Sequence, residues 1–129
     1  MQAQDRLQDS RRALRRKNNA YALRLAQECV ELCVKASLRS VGIEYPKLHE
    51  VSALLVESKQ RFPDWFASQL AFVQEASVSL FKKRELAFYG GEDVALPPDR
   101  VIGPEDGKKA VKDAEGVFDL CSRLFRRKA

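Results

Sequence analysis

The chain has 129 residues, of which 45% are hydrophobic and 32% charged, and it carries a net charge of +5. That length and balance suit one globular domain, residues 1–129, able to bury a core of its own, and they exclude a disordered or fibrous chain. No stretch approaches the roughly 18 apolar residues of a membrane span, and MQAQDRLQDSRR lacks the apolar segment of an export signal, so a cytoplasmic protein with no membrane partner is expected.

Everything periodic in the chain has the helical repeat. A first helix is expected over Ala3–Lys17, with Leu7 and Leu14 on a narrow stripe, and Asn18-Asn19 supplies a break and a cap. A second, Ala20–Val41, stops at Gly42. At about 100° per residue, its Arg24, Gln27, Glu28, Glu31 and Lys35 share a strip about 100° wide, and almost all the rest is apolar. Such a helix belongs at the centre of a bundle. After the connection IEYPKLHE, a third helix over Lys47–Gln60 is expected to bury Leu48, Val51, Leu54 and Leu55. Pro63-Asp64 opens a fourth, running to Tyr89 and ending at Gly90-Gly91, with Phe66, Leu70, Val73, Ser77, Leu80 and Phe81 on its inner face. GGEDVALPPDRVIG reads as one long loop. A fifth helix starts near Pro104, with Glu105 and Asp106 suited to its N-terminal dipole, and buries Ala110, Ala114, Val117, Phe118, Cys121, Leu124 and Phe125.

The fold class is therefore all-α, an antiparallel up-and-down helical bundle of about five helices. If five helices alternate, the first and fifth run parallel. Arg12, Arg15, Arg16, Arg126 and Arg127 would then gather at one basic pole, with RELAFY at the other. A pole of this kind would either attract an anion or simply be a solvated pair of helix ends favoured by the dipole.

The order of segments, with A-Q-E-x-x-E-L-x-x-K-A from Ala26 to Ala36, P-K-L-H-E from Pro46 to Glu50 and a long helix ending in RELAFY, resembles the HEPN (higher eukaryotes and prokaryotes nucleotide-binding) domain. The resemblance extends over roughly Ala20–Phe125. It implies a helical bundle that forms homodimers, often beside a small nucleotidyltransferase with which it makes a toxin–antitoxin pair, and a nucleotide or RNA as ligand. Ribonuclease members carry Arg, four to six residues, then His near the end of the long helix. Here Arg84 stands in that region, the fifth residue on is Tyr89, and the chain's one histidine is His49, elsewhere. The expectation is thus a non-enzymatic binding module. The alternative is a ribonuclease using Arg84 with Tyr89 in place of the usual His.

Arg84, Tyr89 and Asp93, with Lys82 and Lys83, are the candidate ligand or partner contacts, because a permanent guanidinium grips phosphate bidentately and a tyrosine can stack on a base. The competing reading pairs Arg84 with a carboxylate and uses Tyr89 to cap the core. Gln27, Glu28, Glu31 and Lys35 form the polar interface strip. Gln27, Glu31 and Lys35 are expected to meet partners from another helix or a second subunit. Cys29 and Cys33 face the packed side and read as core; with only Cys121 and His49 left to help, no metal or other cofactor is expected. GPEDGKK fails as a phosphate loop, since only three residues separate its glycines and Lys109 stands where Ser or Thr is needed.

Overall fold

The computed structural model describes the backbone of residues 2–94 and 102–128 and the side chains of residues 2–86 and 102–126. Among these residues there are six α-helices and no strand: α1 (Gln2–Arg15), α2 (Asn19–Ser40), α3 (Ala53–Glu57), α4 (Asp64–Ala67), α5 (Leu70–Val94) and α6 (Pro104–Lys128). A 3₁₀ turn, Lys59–Arg61, joins α3 to α4. The all-α bundle expected from the periodicity is what forms.

Local chemistry sets the ends of α1 and α2. Lys17 takes a left-handed φ of 62°, turning the chain out of α1, and the Asn18 side chain then accepts the backbone N–H of Tyr21 at 3.4 Å. At the far end Gly42 has φ +76°, its N–H bonds to the Arg39 carbonyl, and the N–H of Ile43 bonds to the Leu38 carbonyl, both at 3.0 Å. This is the Schellman arrangement, which satisfies the last carbonyls and needs a residue tolerant of positive φ.

The third expected helix is largely absent. Residues 47–52 are not helical, and helix begins only at Ala53. Other bonds replace helical ones there: the Leu48 N–H turns back to the Pro46 carbonyl at 2.8 Å, and the Glu50 carboxylate accepts the Ser52 N–H at 2.8 Å, the Ser52 hydroxyl at 3.2 Å and, from α5, the Ser77 hydroxyl at 3.0 Å. Leu48 accordingly lies 57% exposed instead of buried, while Val51 and Leu55 do reach the core. The fourth expected helix is cut in two at Ser68-Gln69, where the Ser68 hydroxyl bonds back to the Trp65 carbonyl at 3.0 Å. The second piece, α5, passes through Gly90-Gly91 to Val94, so the expected loop begins later than its glycines suggest; residues 95–101 lie outside the described residues.

The helix α2 is central, touching α1, α3, α5 and α6. Its Leu23, Cys29, Val30, Cys33, Val34 and Leu38 are buried against Phe66, Val73 and Leu80 from α4 and α5, and Ala114, Val117 and Cys121 from α6. A smaller cluster of Ala13, Ala22, Leu25 and Val111 closes the α1–α2–α6 corner.

The directions of the long helices overturn the expected basic pole. A β-carbon on Gly107, at the start of α6, would meet Leu14 near the end of α1 at 3.1 Å, and Arg11 pairs with Glu115 at 2.9 Å. Arg126 instead shares a surface groove with Gln4 and Gln8. Thus α1 and α6 run antiparallel. The residues between α2 and α5 form a bent crossing and add no full rung, so the long helices number four and the parity changes. Arg12, Arg15 and Arg16 lie at one pole and Arg126 at the other; the Arg127 side chain is outside the described set. RELAFY also changes pole: Lys83 reaches Asp106 at the start of α6, at 3.1 Å, which puts it at the same end as Arg12–Arg16.

Candidate functional site

The polar strip of α2 lies in the seam where α5 crosses it, and its groups are engaged. Gln27 is only 3% exposed. Its amide nitrogen donates to Glu31 Oε1 at 3.1 Å, and its amide oxygen accepts a hydrogen bond from the Arg84 guanidinium on α5. Lys35 donates to the other Glu31 oxygen at 3.0 Å. From the connection before α3, His49 brings Nδ1 to 3.3 and 3.4 Å from the two Glu31 oxygens, and its ring stacks on Phe81 with centroids 6.3 Å apart. Arg84, Gln27, Glu31, Lys35 and His49 therefore form one connected network drawn from three segments.

Glu31 is its anionic centre. Burial by itself would raise this carboxyl, but hydrogen bonds from Gln27 and Lys35 and the charges of Lys35 and His49 outweigh it, holding the group below its ordinary value of 4.5. Arg84 is held differently. Among the described residues its partner is a neutral amide, which orients the guanidinium without cancelling its charge.

The sequence-based candidates separate in space. Glu28 departs from the strip: it pairs with Arg6 at 3.3 Å and Arg24 at 3.5 Å, and so ties α2 to α1. Lys82, Lys83 and Arg84 do not pool their charge, because successive helical residues point about 100° apart. Arg84 turns to α2, Lys82 is exposed, and Lys83 holds Asp106, whose carboxylate also takes the Gly103 N–H at 3.1 Å. That backbone bond, with Lys83, keeps the Asp106 carboxyl below its usual range despite some burial. Tyr89 and Asp93 belong to α5 by backbone, and their side chains lie outside the described set. His49 and Phe81 are the members that sequence reasoning left out of the site. The signal for His49 was its place in P-K-L-H-E, but nothing in the local sequence told where that segment would fold.

The cysteines are core. Cys29, Cys33 and Cys121 are free and buried. Hydrogen bonding with Cys121 and Cys29, then burial, pushes the Cys33 thiol up, and the Ser37 hydroxyl lies 3.2 Å from Cys121 Sγ. Among the described residues no three His, Cys, Asp or Glu side chains come together to hold a metal, and no helix is long and apolar enough to cross a membrane.

An antiparallel bundle of long helices with a partly buried polar seam between α2 and α5 defines an α-helical module that offers a fixed arginine beside an acid–histidine pair. Comparison with known families gives that module a name: the HEPN domain family model matches residues 1–124, and the chain belongs to that family. No curated protein and no solved structure matches the chain.

Proposed function

We propose that the chain is a non-catalytic HEPN binding module, acting as a homodimer, that takes a phosphate of RNA or of a nucleotide on Arg84. The observation that carries this reading is the Arg84–Gln27 bond: a permanent cation on the wall of the seam, oriented by a buried amide and keeping its charge for an anion. Family membership further suggests a small nucleotidyltransferase as protein partner, which co-purification with the product of a neighbouring gene would test. The ligand is tested with a labelled single-stranded RNA oligonucleotide in fluorescence anisotropy. Arg84→Ala is expected to weaken binding about tenfold or more, the worth of a charge-assisted phosphate contact. Equal binding by wild type and Arg84→Ala would refute the reading.

A ribonuclease is the second reading, and one observation favours it: the lone histidine is joined to Arg84 through Glu31 and Gln27. In this reading His49, in place of Tyr89, takes the proton of a ribose 2′-hydroxyl as its oxygen attacks phosphorus. The bond from phosphorus to the leaving 5′-oxygen breaks, that oxygen is protonated by solvent, and Arg84 neutralises the phosphorane. Cleavage of transfer or messenger RNA that disappears in both His49→Ala and Arg84→Ala would establish it; intact RNA after incubation with wild type would exclude it.

A further inference from the structure

The outer face of α5 carries charge left unpaired within the described residues. On its inner side α5 packs on α2, α3 and α6, with Leu70, Val73, Ala76, Ser77 and Leu80 buried. Ala71, Glu75, Val78, Lys82 and Leu86 take the other side. At about 100° per residue they fall within a strip about 80° wide, and none of the five is buried. Leu86 is 52% exposed. Among the described residues the side chains of Glu75 and Lys82 have no ion-pair or hydrogen-bond partner. They stand two turns apart, about 10 Å along the axis, and do not pair with each other.

The order of residues in this strip is self-complementary. Glu75 and Lys82 share a midpoint with Ala71 and Leu86, between Val78 and Ser79. A two-fold axis crossing α5 there, perpendicular to it, sets a second α5 antiparallel to the first. Glu75 then faces Lys82 of the partner subunit, and Lys82 faces the partner's Glu75. Leu86, bulky and exposed, lies over the partner's Ala71. Val78 and Ser79, short side chains at the crossing, let the two axes approach to the about 8–10 Å of packed helices. An isologous contact needs a surface that complements itself about such an axis, and a strip with acid and base exchanged across its centre does so. A different protein would have no need of that symmetry. Nucleic acid fits poorly, because Glu75 and Glu85 leave this face without net positive charge.

We infer that a second copy of this chain docks on the outer face of α5, antiparallel and centred between Val78 and Ser79, with Glu75 and Lys82 making reciprocal ion pairs. The inference rests on the homodimer proposed above and not on its RNA ligand. Arg84 turns to Gln27 on α2, away from the strip, so each copy keeps its seam outside the contact. The test is sedimentation equilibrium of the full chain over a dilution series. Wild type is expected to dimerise. Glu75→Lys alone, or Lys82→Glu alone, sets like charges opposite one another in both symmetric pairs and should weaken the dimer about tenfold or more. Combining Glu75→Lys with Lys82→Glu restores both pairs with their signs exchanged and should recover the dimer. An equal mixture of the two single variants should form a heterodimer tighter than either variant alone, since each acid again meets a base. A monomeric wild type would overturn this inference together with the proposed homodimer. A wild-type dimer that neither single substitution weakens, or that the double substitution and the mixture fail to recover, would overturn this inference alone. Glu75 and Lys82 are exposed, and recovery by the second substitution separates a lost contact from a lost fold.

Discussion

Gln27 illustrates how much a single buried side chain can organise. Its amide serves Glu31 and Arg84 at once, so Gln27→Ala takes a hydrogen bond from each of two charged groups. A loss of about 1–3 kcal/mol in urea unfolding is expected, the scale of hydrogen bonds to charged groups. Glu31 adds a pH signature. Its carboxyl is depressed in the folded state, so the unfolded chain takes up the proton first as pH falls. The stability it contributes is therefore fully present above its ordinary value of 4.5 and is lost as pH drops below that toward the folded value. Glu31→Gln should flatten that acid limb of the stability–pH curve; an unchanged limb would show that Glu31 is not its source. At this scale the sequence was informative about residue type only. The strip on α2 was legible from its 100° periodicity, whereas its partners Arg84 and His49 lie 57 and 18 residues away along the chain from the groups they meet.

At the scale of elements, helix ends follow local rules and helix interruptions do not. Gly42 at φ +76° closes α2, and Gly42→Ala should cost about 1–2 kcal/mol in thermal or urea unfolding, because a side chain is disfavoured in the left-handed region. Glu50 decides where α3 begins by taking the Ser52 and Ser77 donors. Glu50→Ala is expected to lower stability by about 1–3 kcal/mol, since Ser77 is buried and loses its acceptor. A loss no larger than that of a surface Glu→Ala control would remove Glu50 from this role. The apolar spacing Leu48, Val51, Leu55 reads as one helix, yet a carboxylate that bonds backbone and hydroxyl groups across to α5 outcompetes the first turn. That competition depends on Ser77 arriving from elsewhere, and so it is invisible in the segment.

Across the whole molecule, α2 is wrapped by α1, α5 and α6, and the three thiols mark its centre. Cys29 and Cys33 are 0% exposed and Cys121 1%. All three are expected to react with a thiol reagent far more slowly in native buffer than in urea, because helix packing covers them. A thiol labelled rapidly in native buffer would contradict this packing. The antiparallel α1–α6 pair also predicts that charge at the two poles acts separately. Removing Arg12, Arg15 and Arg16 should leave the salt sensitivity contributed by Arg126 untouched.

What the sequence determined by itself was the helical class, the family and the burial of α2, because amphipathic periodicity, capping residues and a largely apolar circumference are local properties that any fold must satisfy. What only the tertiary structure decided was direction and company. Whether residues 41–69 make a full rung or a bent crossing sets the parity of the bundle, and with it which charged ends meet. The same crossing carries His49 over α2 to Glu31, beside the arginine of α5. No spacing along the chain encodes that meeting; it follows from the packing of α2 and α5, and from Glu50 tying the crossing between them.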